Sequence, residues 1–546
     1  MTREAWFRRS FRSLLSVRRS AGAAPVARPS RSRPKAAALA GLLALVSLSL
    51  RGEPVRAESP IAKLKAAHAE ELTTGHDFDE ARRVLASADA DDPHVALEKG
   101  RLALYEADCD GALVFLSRAD VTELDEGEAL ADIARGCARV IAATVVERDE
   151  AAALEVRYQD EFDRALTPLL AETVVRAREA LTRDLGVTWP KPTRIVVVRD
   201  LLSLSAMTGL PYEAAQTTGT VAVAKWGRVT LLSPRASHHG YAFRDTVAHE
   251  LTHLAISRAT VDRAPLWLQE GLAKREEVRW REPGPFDDKP TPDAIVQRGI
   301  EMKLDLPLDK LGPSIAMLPS ADAAMVAFAQ VTSFVRFYAD TAGEGALPRL
   351  LAALRDRNSV DEALAKASGA DLKQWDTRWR AHLASKPREP LPPLFALGAD
   401  IPDARDLRER VRLAELLLGR GHGKQALAQL DRIKTEGAND DPTVRYLRAR
   451  ALEADGRLSD AAPLVADPAE VSAPYAPWWA LRGRLARVRG DHGVADLSFV
   501  EARGGDPLDV EAACEGLEPT SRPRDVRLHP LCEAALARQE PGVGQD

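Results

Sequence analysis

Aromatic side chains are scarce in this sequence: Phe, Trp and Tyr together make up 5% of 546 residues. That scarcity argues against an all-β sandwich or barrel, whose strands draw on aromatic and β-branched residues. Long apolar runs are missing too. None reaches the roughly 18 residues that mark a spanning helix, which excludes a multi-pass membrane protein. There are only four cysteines and no CxxC, so neither a thiolate zinc site nor a thioredoxin-like redox motif is expected. P-loop, strand-linked GxGxxG and GxSxG patterns are lacking as well, which leaves nucleotide and serine-hydrolase chemistry without a carrier. What is plentiful is alanine and leucine. With 45% hydrophobic and 29% charged residues, the composition is that of a globular and predominantly α-helical protein of several domains.

Charge is unevenly spread. Residues 1–57 hold 12 Lys+Arg against 2 Asp+Glu, which leaves 63 basic against 79 acidic residues in the rest. An acidic body makes nucleic acid an unsuitable partner. The basic leader precedes an apolar stretch from Ala36 to Leu50, followed by Val55-Arg56-Ala57. This is the order of a secretory signal, and the stretch is short for a membrane anchor. The expectation is a leader over 1–57 and an exported body, periplasmic, in the cell envelope or secreted, with no stable membrane span once the leader is cleaved. Four cysteines in an exported chain permit two disulfides, Cys109–Cys137 and Cys514–Cys532, though spacing leaves the other pairings open.

Along the body, residues 58–150 read as alanine-rich helices and 151–385 as mixed strands and helices. A proline-rich linker spans 386–402, helices return over 403–516, and 517–546 form a tail. The late helices repeat. Gly421, Gly456 and Gly490 are 35 and 34 residues apart, as are Ala426, Ala461 and Ala495, and the small residues Ala414, Ala449 and Gly483. A 34-residue period with small residues at these places resembles the tetratricopeptide repeat (TPR), whose solenoids offer a groove to a protein partner. Ala69 and Gly100, and Ala81 and Ala112, give a fainter 31-residue echo near the N-terminus.

The chemistry is carried by Asp245-Thr246-Val247-Ala248-His249-Glu250-Leu251-Thr252-His253. Histidines four apart share one helix face and can share one metal ion. Glu250 stands at the flank, within reach of a water but not of the metal. A third ligand is needed, and Glu270 in Trp267-Leu268-Gln269-Glu270-Gly271-Leu272-Ala273 can supply it. Pro265 would start its helix after the chain loops back. The adjacent pair His238-His239 reads as loop surface, since neighbouring residues do not share a face.

This HExxH helix followed by W-L-x-E-G-L-A resembles the gluzincin metallopeptidases, and closely the peptidase MA-like domains of bacterial proteins that also carry TPRs. The matching positions are His249, Glu250, His253, Trp267, Leu268, Glu270, Gly271 and Ala273. The resemblance implies an α+β zincin-like domain over 151–385 between helical repeat modules. It implies a Zn2+ ion held by His249, His253 and Glu270, and hydrolysis of a protein or peptide substrate with Glu250 as general base. Strands are expected at Arg194–Val198, Val221–Ala224 and Arg228–Leu232, with the edge strand along the cleft. Two departures bear on rate. Relatives carry Tyr where Phe328 stands, so an oxyanion donor must come from elsewhere, with Tyr338, Tyr212 and Tyr241 as candidates. Lys274 replaces an acidic partner for a ligating histidine, a role for which Asp245 is the candidate, while Glu276 and Glu277 are expected on a solvated face or behind the ligands. An alternative is a peptidase-like scaffold that holds zinc, turns over little and acts through its repeats. A third is a non-peptidase hydrolase or maturation factor using the same site.

Overall fold

The computed structural model describes residues 59–537, apart from 188–190, 237–239, 285–286, 312–313, 316–317, 396, 398–401, 468–475 and 516–528. The expected leader and the pair His238-His239 lie outside the described residues. No helix among the described residues is long and apolar enough to cross a membrane.

Short helices fill the chain from Pro60 to Ile141. A five-stranded sheet follows, with β1 (Val145–Asp149), β2 (Leu154–Tyr158), β3 (Thr193–Val198), β4 (Ala222–Lys225) and β5 (Arg228–Leu232) in the order β1-β2-β3-β5-β4. The β2–β3 and β3–β5 pairs are parallel, and the two outer pairs are antiparallel. Three strands lie where the sequence places them. β1 and β2 are additional to those three: Leu154, Val156 and Tyr158 alternate with Glu155 and Arg157 along β2, a strand pattern legible in the sequence but missing from the expected strands, whereas β1 precedes the start expected at 151. Glu147, Arg148 and Asp149 fill most of β1, which lies at the sheet edge and buries none of its residues, so no apolar alternation marks it.

One face of the sheet carries Val156, Ile195, Val197 and Leu231 into the main core. There it meets the helices Thr167–Leu185 and Phe243–Thr260. Val196, Val198 and Leu232 pack on the other face against Val140, Leu204 and Met207. β4 and β5 are joined by Trp226-Gly227, both with positive φ (53° and 65°), the two-residue turn that suits the strand twist. Trp226 packs edge-on to Tyr105, with centroids 5.8 Å apart, so the hairpin tip is seated in the N-terminal helices. Arg228, fully buried, donates to the Leu104 carbonyl.

Five helical hairpins share one turn. Asp77, Asp108, His422, Arg457 and Asp491 each donate their backbone N–H to the carbonyl five residues back, at 2.8–3.0 Å. The residue before each is left-handed: His76, Ala107, Gly421, Gly456 and Gly490, with φ between 58° and 79°. This is the helix-ending motif that favours glycine. Seven residues earlier stand Ala69, Gly100, Ala414, Ala449 and Gly483, all buried, where the paired helices touch. Both Cys109–Cys137 and Cys514–Cys532 are disulfides.

The chain also closes back on its centre. Leu508, in a turn, and Ala513, Leu531 and Ala535, from the C-terminal helices, belong to the main core beside the sheet. The stretch read as a tail therefore includes a packed helix, Pro530–Leu536, which the short apolar set Leu531, Ala534 and Ala535 holds in place.

Candidate metal centre

The helix Phe243–Thr260 is fixed by Phe243, Val247, Leu251 and Ile256, all fully buried. Near its start Asp245 accepts from Trp280 Nε1 at 3.0 Å and from Arg281 Nε at 2.9 Å. Asp245 thus anchors the helix, and does not support a histidine. The second helix, Leu266–Glu276, begins directly after Pro265, whose fixed φ sets the entry. Trp267 stacks edge-on against Phe334 at 5.3 Å, and Phe334 against Trp379 at 5.7 Å. A Cβ on Gly271 would fall 2.6 Å from the Val331 carbonyl oxygen and 2.4 Å from Val335 Cγ2. The W-L-x-E-G pattern is therefore a packing pattern: it presses this helix onto Ala321–Thr341 and turns Glu270 towards the histidines.

His249, His253 and Glu270 come together, their donor atoms all within 4.8 Å of one another. His249 Nε2 lies 3.3 Å from His253 Nε2, and Glu270 Oε2 lies 3.8 and 3.7 Å from the two. Donors about 2.0–2.1 Å from one tetrahedral ion stand about 3.3 Å apart, so the set fits zinc without large movement. The outer ring nitrogens are engaged. His249 Nδ1 is 3.0 Å from Glu277 Oε2, and His253 Nδ1 is 3.3 Å from Gln269 Oε1. These acceptors put the proton on Nδ1 and leave both Nε2 lone pairs facing inward.

Glu277, just past the second helix, is the acidic partner that Lys274 had displaced from its expected place. Lys274 Nζ braces its other oxygen at 2.7 Å. Burial pushes the Glu277 carboxyl up, but the charges of Lys274 and His249 outweigh this and hold its pKa at about 2. Burial alone would lower the His249 pKa; Glu277, Glu250 and Glu270 raise it above its ordinary value. Glu276 takes neither of the roles expected for it. It is buried beside Arg275 and Arg279, and burial raises its pKa to about 7.

Glu250 is nearly buried, and its Oε2 accepts the backbone N–H of Ala224 at 2.5 Å. Ala224 lies on β4, which pairs only with β5, so the proposed base is pinned to the edge strand. Of the candidate hydroxyls, Tyr338 is buried and bonds Ser368 Oγ at 3.2 Å, and Tyr241 donates to the Leu232 carbonyl. Tyr212 stands on the helix Tyr212–Thr218, ahead of β4. Phe328 packs its ring against the main core. Sequence reasoning missed Gln269 and Ala224. Gln269 occupies the variable position of W-L-x-E-G, and Ala224 contributes only backbone, so neither leaves a side-chain signal.

Residues 173–385 match the family model of the peptidase MA superfamily. The matched segment contains all four residues of the site, and β1 and β2 lie outside it. No curated protein and no solved structure matches the chain. The segment 173–385 is thus similar to the peptidase MA superfamily, in a mostly helical structure around a small mixed sheet, and the similarity suggests a metallopeptidase-like function.

Proposed function

We propose that this chain is an exported zinc-dependent metallopeptidase of the gluzincin type, with helical repeats that engage substrate or partner. The observation that carries the reading is the convergence of two inward Nε2 atoms and one carboxylate oxygen beside a fourth, separately held glutamate. His249, His253 and Glu270 would hold the ion. Zinc supplies Lewis acidity there, polarising a scissile carbonyl and acidifying water. Glu277 and Gln269 orient the two imidazoles. Glu250, pinned by the Ala224 amide, takes the proton of the attacking water and delivers it to the leaving amine. Glu250 stands beside the ligands without belonging to the ligand set, the place a general base needs, which favours chemistry over metal storage. The two disulfides support an oxidising compartment, in keeping with the leader. The turn glycines Gly421, Gly456 and Gly490, each preceded by a buried small residue seven positions earlier, support a TPR-like reading of the C-terminal flank.

A zinc-holding scaffold is the second reading. It is favoured by the phenyl ring at Phe328 and by the engagement of Tyr241 and Tyr338 elsewhere. The test is zinc content by elemental analysis of the full chain and its His253→Ala variant, then peptide cleavage against Glu250→Gln. About one zinc per chain, lost in the first variant, with cleavage lost in the second, is the expected result. Zinc without cleavage would select the scaffold. A folded chain that takes up no zinc would sink both readings.

A further inference from the structure

Arg228, on β5, is fully buried and forms no ion pair among the described residues. Its guanidinium donates to the Leu104 carbonyl and, at 3.4 Å, to Cys137 Sγ, while its Nε has no partner. Burial, with the like charges of Arg194 and Arg157, lowers its pKa to about 10. A buried cation without a counter-charge is costly. A negative charge arriving beside it would therefore stabilise the fold.

The sulfur beside Arg228 can become that charge. Cys137 stands in the helix Gly127–Ile141, and Cys109 opens the helix Cys109–Leu116. Their disulfide packs with Val196 and Val198 behind the sheet. As a disulfide, Cys137 is only a weak neutral acceptor. As a thiolate it is a full counter-ion, and a neighbouring arginine favours the thiolate over the thiol. A disulfide whose reduced form is stabilised in this way is easier to reduce. Cys514–Cys532 has no such neighbour. Cys514 Sγ meets the Cys532 carbonyl at 3.8 Å, and no cationic side chain bonds either sulfur among the described residues.

We propose that Cys109–Cys137 is a redox-active cystine that exchanges with dithiols, whereas Cys514–Cys532 is a structural cross-link. One thiolate of the dithiol attacks Cys109 Sγ. The S–S bond breaks, and its electron pair leaves on Cys137, which pairs with Arg228 as a thiolate. The second sulfur of the dithiol, once deprotonated, attacks the mixed disulfide. The dithiol closes to its own disulfide, Cys109 leaves and takes up a proton, and the second proton passes to solvent. Two electrons move from the dithiol to the cystine. Both sulfurs are buried, so exchange needs the two helices to open, and the equilibrium carries the signature rather than the rate. The proposal does not depend on the metal site being hydrolytic.

The test is redox equilibration of the metal-depleted full chain in mixtures of reduced and oxidised dithiothreitol. Alkylation and peptide mass spectrometry then read the state of each cysteine. Cys109–Cys137 should open at a ratio of reduced to oxidised reagent about tenfold below the one that opens Cys514–Cys532. Arg228→Gln should raise the ratio for the first cystine about tenfold, as loss of a charge-assisted contact does, while Arg228→Lys keeps the charge and should restore part of the difference. A second measurement keeps the test sound should Arg228→Gln not fold. In Cys109→Ser, with Arg228 in place, the ultraviolet absorbance of the Cys137 thiolate should persist well below the ordinary thiol pKa of about 8.5. Opening of both cystines at one ratio, an unchanged ratio in a folded Arg228→Gln, or a protonated Cys137 at neutral pH in Cys109→Ser would overturn the proposal.

Discussion

Glu277 shows what one side chain adds behind a ligand. It holds His249 in one tautomer and is itself held by Lys274. In Glu277→Gln the fold should persist by circular dichroism while zinc affinity, read by competition with a chromophoric chelator, falls about 10–100-fold. The ligands themselves were legible because a spacing of four residues on a helix has one geometric meaning. Their support was not. Glu277 lies beyond the helix end, where no periodicity assigns a direction, and Asp245, the candidate for that role, is engaged by Trp280 and Arg281 instead. The tyrosine candidates illustrate the same limit. Sequence shows a hydroxyl but not the partner that occupies it.

At the level of elements, the second site helix is positioned by closeness. Gly271→Ala would drive a methyl into the Val331 carbonyl and the Val335 side chain. Such overpacking costs about 1–3 kcal/mol, and it would lift Glu270 away from the histidines. Thermal unfolding of the metal-free variant should show the stability loss, and zinc titration should show weakened binding beyond it. The repeat spacing of glycine and alanine was readable because each residue has a separate duty, turning the chain or letting helices touch. The first two hairpins kept the turn but put His76 and Ala107 in the glycine position, which is why their echo was faint. β1 escaped notice for a different reason: an edge strand that buries none of its residues carries no alternation.

Across the whole molecule, the ends are tied to the middle. Asp163, before the long helix Thr167–Leu185, bonds Ser233 Oγ at 2.9 Å, just past β5. Arg235 lies 3.5 Å from Asp163 and donates to the Ala537 carbonyl at 2.6 Å. Burial raises the Asp163 pKa from its ordinary 3.8 to about 6. A raised folded-state value means that its stabilising share is complete below about 3.8 and is lost as pH rises through about 6. Asp163→Asn cannot ionise, so the wild type should lose ground to it between pH 4 and 7, by up to about 3 kcal/mol in urea unfolding. An unchanged difference across that range would refute the assignment. None of this closure was legible. Contacts across some 300 residues leave no local pattern, and Leu531, Ala534 and Ala535 are too short a set to signal docking. The family match inherits the same blindness, since β2, the neighbour of β3, lies outside it.

The bond between Glu250 and the Ala224 amide has a colloidal consequence. A sheet edge with a bare N–H invites a strand from another copy of the chain. Here a carboxylate covers that amide, so the group proposed to move protons also guards against self-association. Glu250→Gln keeps an acceptor oxygen and should remain monodisperse. Glu250→Ala uncovers the amide, and light scattering should find it the stickier of the two variants.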